Sequence, residues 1–87
     1  MGEISVRLTP NPTTSKAFIR YVLPNNISNL RIDLYDISGK IISNIYLGKQ
    51  AKGIYSREIN VNDLSSGLYF VHLYSEDFSI TKKLNKQ

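Results

Sequence analysis

The chain has 87 residues, 41% hydrophobic and 21% charged, which fits one small globular domain and excludes a disordered segment. Eleven Lys and Arg against seven Asp and Glu give a net charge of +4, without the dense basic stripe and interleaved aromatics that nucleic-acid binding requires. The absence of cysteine rules out disulfides and thiolate metal sites, and no apolar run approaches the roughly 20 residues that would span a bilayer as a helix.

Met1-Gly2 reads as an expression start, followed at once by Glu3 with no signal peptide. From there the hydrophobic period is two almost everywhere. Ile4, Val6 and Leu8 alternate with Ser5 and Arg7. Pro10-Asn11-Pro12 then stiffens the chain and removes two backbone donors. Ala17, Ile19, Tyr21 and Leu23 form the next apolar row, closed by Pro24-Asn25-Asn26, and Leu30, Ile32 and Leu34 form the third. Asp36-Ile37-Ser38-Gly39 is a hairpin signal, with Asp36 able to accept a backbone N–H and Gly39 free to take positive φ. Ile41, Ile42 and Ile45 do not keep one parity, which predicts a bulge.

A loop is expected from Gly48 to Gly53, and a longer one at Asn62-Asp63-Leu64-Ser65-Ser66-Gly67 anchored by Leu64. Tyr69, Val71 and Leu73 make the sixth row. After the turn Ser75-Glu76-Asp77, Phe78, Ile80 and Leu84 share one parity with Lys82. The expected strands are therefore about 3–8, 16–23, 29–36, 40–47, 54–61, 68–75 and 78–84. Seven short strands with regular turns and no helical stripe predict an all-β antiparallel sandwich. Five lysines, at 40, 49, 52, 82 and 83, flank strands or turns, and Lys86 is read as part of a polar tail.

Little in the sequence points to catalysis. His72 stands alone between Val71 and Leu73, on the parity opposite the core, and neither a metal site nor a general-base arrangement forms around one histidine. Asp33 with Asp36, or Asp63 with Asn60 and Asn62, offers too few carboxylates for calcium, and turn capping by Asx side chains is the favoured reading. No cofactor is expected. Tyr21 and Tyr69 share parity with the core. Phe18, Tyr35, Phe70 and Tyr74 fall on the opposite parity; on neighbouring strands they would form an exposed aromatic patch, either pairing across strands or binding sugars or a protein.

The elements also occur in a recognisable order. Pro10-Asn11-Pro12 is followed by the run Ala17 to Leu23, then by Leu30-Arg31-Ile32-Asp33-Leu34-Tyr35-Asp36-Ile37-Ser38-Gly39-Lys40. Leu64-Ser65-Ser66 leads into Gly67-Leu68-Tyr69-Phe70-Val71, and Ile80-Thr81-Lys82-Lys83-Leu84 closes the set. From about Leu8 to Gln87 the chain resembles the type A C-terminal sorting domain of the type IX secretion system of Bacteroidetes-type bacteria. The immunoglobulin-like domain of flagellar hook-capping proteins shares parts of the pattern.

The resemblance implies a seven-stranded antiparallel immunoglobulin-like β-sandwich over 1–87. Its implied job is to carry an N-terminal cargo from the periplasm through an outer-membrane translocon. A sortase-like surface peptidase then removes the domain, leaving the cargo on the cell surface or secreted. Gly67 and Tyr69 match the family's glycine-x-tyrosine element, and Lys82, Lys83 and Leu84 its terminal basic-hydrophobic element, although Asn85 stands where the family has an apolar residue. A natural C-terminus at or just after Gln87 is expected, as is a domain that stays folded without Leu84 to Gln87. The alternative function is a carbohydrate- or protein-binding module appended to a secreted enzyme.

Overall fold

In a computed structural model describing residues 3–87, the alternating runs become seven strands. They are β1 (Ser5–Thr9), β2 (Lys16–Leu23), β3 (Ile27–Asp36), β4 (Ile41–Gln50), β5 (Gly53–Asn60), β6 (Gly67–Tyr74) and β7 (Ser79–Lys86). Met1-Gly2, the suggested expression start, lies outside the described residues. Two antiparallel sheets form, one in the order β1-β2-β5 and the other β4-β3-β6-β7, giving an immunoglobulin-like sandwich.

Strand parity decides the core. Ala17, Ile19, Tyr21, Leu23 and Ile59 face Leu30, Ile32, Leu34, Tyr69, Val71, Leu73 and Leu84 across the interior, and all are buried. Tyr21 also stacks on Tyr55, with ring centroids 5.2 Å apart. The predicted bulge lies where Leu34 pairs with Ser43 and Tyr35 with Ile41, which leaves Ile42 unpaired. At the hairpin, Asp36 accepts from the Ser38 hydroxyl and from the amides of Ser38 and Lys40, while Gly39 sits at φ 89°.

Three expectations need correction. The Gly48–Gly53 loop shrinks to residues 51 and 52, because β4 runs on to Gln50 with Gly48 absorbing a register shift at φ 69°. Asp33 caps no turn: it stands in the middle of β3, 6% exposed, where its two oxygens accept from Asn44 Nδ2 (2.7 Å) and the Tyr74 hydroxyl (2.9 Å). The C-terminus is not a polar tail. β7 pairs with β6 as far as Gly67–Lys86, so cutting at Leu84 would remove the last three of its eight residues and a core side chain with 0% exposure.

Candidate functional site

The last 27 residues fold around one corner of the sandwich. Residues 61–66 connect β5 in one sheet to β6 in the other, and Leu64 N–H closes a turn onto the Val61 carbonyl at 3.0 Å. Gly67 enters β6 at φ 150°, a conformation L side chains rarely adopt. Two residues on, Tyr69 buries its ring and donates its hydroxyl to the Ser65 carbonyl at 2.6 Å. This is the tyrosine-corner arrangement of immunoglobulin-like sandwiches, so the glycine-x-tyrosine element does structural work at this corner.

Lys86 closes the same corner. Its stem is buried, and Nζ donates to the carbonyls of Leu64 (2.7 Å) and Asn62 (3.4 Å). On the outer side of β7 the Pro10–Thr13 segment acts as a partial eighth strand. Asn11 Nδ2 donates to the Lys83 carbonyl (2.8 Å), and Asn11 Oδ1 accepts from the Asn85 amide (3.0 Å). Thr13 N–H donates to the Asn85 carbonyl (2.9 Å), and Gln87 N–H to the Thr13 carbonyl (2.8 Å). The edge of β7 is therefore sealed from the Lys83 carbonyl onward. Upstream, among the described residues, no element pairs with its outer side.

Of the five residues singled out at this end, Gly67 is partly covered, Tyr69 and Leu84 are buried, and only Lys82 and Lys83 are exposed. Lys83 pairs with Phe70 in the register and points out of the sandwich. Lys82 pairs with Val71 and emerges at the opposite face of the margin.

The aromatic residues divide between the sheets. Tyr35, Phe70 and Tyr74 share the outer face of the four-stranded sheet with His72. Tyr35 stacks on Phe70 at 5.5 Å, and His72 stacks on Tyr74 at 4.2 Å. Tyr35 meets the His72 ring edge-on at 6.4 Å, and His72 Nε2 is 2.6 Å from Ser79 Oγ. Burial, with the Asp33 hydrogen bond and charge behind it, holds the Tyr74 hydroxyl's pKa above its ordinary value. Phe18 lies on β2 in the other sheet, 42% exposed, and does not join them. Parity gives a residue's face but not which sheet its strand enters.

The model of one protein family, described as the secretion system C-terminal sorting domain, matches residues 7–87. The chain belongs to this family. It is a C-terminal sorting signal of type IX secretion, a module that directs export to the cell surface or the medium. The family consists of signals and not of catalysts. No curated protein matches the chain.

Two residues at the sorting domain's closing corner, Lys86 and Asn11, have roles that the sequence did not assign to them. Lys86 was within its reach, because extending the parity of Ile80, Lys82 and Leu84 by one step puts it on the inward face. Asn11 was visible only as the middle of the Pro-Asn-Pro stretch; its clasp on β7 carried no local signal, since its bonds are to residues 72 and 74 positions away.

Proposed function

We propose that the type IX machinery reads this sorting domain in its folded form, at the exposed side of β7. The observation that carries the reading is the division of that strand. Its downstream edge is closed by Asn11 and Thr13 from the Lys83 carbonyl onward, while Ser79 to Lys82 has no edge partner among the described residues and ends at the exposed Lys82 and Lys83. An acceptor in the outer-membrane translocon would add a strand along this stretch and set carboxylates against the two ammonium groups. Gly67, Tyr69 and Leu84 then serve recognition indirectly, by holding β7 in place. The domain is non-catalytic. It brings an N-terminal cargo from the periplasm to the translocon, and a sortase-like surface peptidase then removes it, leaving the cargo surface-attached or released. Tyr35 turns its face to Phe70 across the strands and His72 turns its face to Tyr74 along β6, which supports stabilisation of the sheet over a sugar platform.

The test fuses a reporter ahead of the domain in a type IX-competent host. Lys82→Glu/Lys83→Glu should leave the fold intact, within about 0.5 kcal/mol for exposed positions, and strand the reporter in the periplasm. Lys40→Glu/Lys49→Glu, with the same charge change elsewhere, should export normally. Wild-type surface delivery of the Lys82/Lys83 variant would refute the reading.

A further inference from the structure

The outer face of the three-stranded sheet carries a pairing that sorting through β7 does not use. Its strands set outward residues in three rows: Ser5, Val22 and Ile54; Arg7, Arg20 and Ser56; Thr9, Phe18 and Glu58. Arg7 and Arg20 are thus direct cross-strand neighbours, and both are exposed. Residues in that relation have Cβ atoms about 5 Å apart, and like charges so placed destabilise a sheet.

No carboxylate relieves them. Among the described residues the one ion pair is Lys16 Nζ with Glu58 at 3.5 Å, and it engages the acid of this face. Asp33, Asp36 and Glu76 accept hydrogen bonds on the other sheet and its turns. A cleft of about 500 Å³ opens at the pair, lined by Ser5, Arg7, Thr9, Arg20 and Val22. Every polar side chain lining it can donate. Among the described residues the guanidiniums have no side-chain acceptor, and the hydroxyls of Ser5 and Thr9 turn to suit a ligand. A site of this kind is complementary to an acceptor-only anion, and two guanidinium forks match tetrahedral oxyanions in particular.

We propose that Arg7 and Arg20 form a binding site for a phosphate-type oxyanion, which neutralises their mutual repulsion. The site lies on the sheet opposite the one that carries Lys82 and Lys83, so its occupancy is separable from the reading of β7. The ligand is either a small free oxyanion or the same group on a lipid head.

Thermal unfolding of the 87-residue chain at pH 8, with phosphate replacing chloride at constant ionic strength, tests the site. The midpoint should rise by about 5 °C with tens of millimolar phosphate. Arg7→Gln/Arg20→Gln should abolish the rise and, having lost the repulsion, be at least as stable as wild type in chloride. Lys40→Gln/Lys49→Gln should keep the rise. A second arm measures co-sedimentation with vesicles of phosphatidylglycerol against phosphatidylcholine. Arginine-dependent binding to the anionic vesicles assigns the group to a lipid head, and a response to phosphate alone assigns a free oxyanion. An equal response in the arginine variant, or none to either probe, overturns the proposal.

Discussion

The hydroxyl of Tyr69 reaches back past Gly67 to the Ser65 carbonyl, tying the corner loop to the strand it feeds. Tyr69→Phe keeps the buried ring and removes that bond, so stability should fall by about 1–2 kcal/mol. A Cβ at Gly67 would meet nothing within 4 Å, so Gly67→Ala should act through backbone strain alone, at about 1–3 kcal/mol. Urea unfolding checks both: each midpoint should drop with the denaturant slope unchanged.

Lys86 is a buried cation that serves two backbone carbonyls, and this makes it a structural residue of the last strand. Lys86→Met retains the aliphatic stem and deletes the donor. It should cost about 1–3 kcal/mol, since the Leu64 and Asn62 carbonyls lose their partner. The readout is hydrogen exchange at the Leu64 amide, which should speed up by about tenfold for each 1.4 kcal/mol lost locally.

The strands were legible because each has one face in the core. Ile19, Tyr21 and Leu23, or Val71 and Leu73, fall on one face in an extended strand and not on one face of a helix. The hairpin at Asp36 was legible because its capping bonds are local. β4 was harder: Gly48 reads as a turn residue, and only cross-strand pairing with β3 carries the chain through it to Gln50. Of the candidate site, the glycine-x-tyrosine corner and the two exposed lysines were visible as motifs. The clasp of Asn11 on β7 and the cross-strand placement of Arg7 and Arg20 depend on which strands neighbour which, and one-dimensional periodicity does not encode that.

The Asp36 turn predicts an acid limb. The Ser38 hydroxyl bond, followed by the Lys40 amide, holds the Asp36 carboxyl below its ordinary range. Its pKa is thus lower folded than unfolded, so the stability it adds is present above the unfolded value of about 4 and is lost as pH falls through the folded one. Asp36→Asn removes that titration. Urea midpoints taken from pH 7 down to 2 should fall less steeply below about pH 4 in the variant than in wild type. At the other extreme, burial raises the Tyr21 pKa. Its contribution is complete below about pH 10 and is lost as pH climbs toward the folded value, so Tyr21→Phe should blunt the alkaline limb.

Asn11 performs through its carboxamide the hydrogen bonding a neighbouring strand would supply, donating to Lys83 and accepting from Asn85. Asn11→Ala should leave the sandwich folded, because no core contact is lost, but free the Asn85 amide. Exchange at that amide should accelerate about tenfold, while the Leu73 and Val71 amides in the interior of β6 keep wild-type protection. Asn11→Asp should be worse than alanine, because a carboxylate cannot donate to the Lys83 carbonyl and repels it instead. Leu84→Ala provides the contrast. It opens a cavity beneath the same strand, should cost about 2–5 kcal/mol, and should lower protection throughout β6 and β7. If Asn11→Ala also lowered protection across both strands, the clasp would belong to the global fold and not to the edge alone.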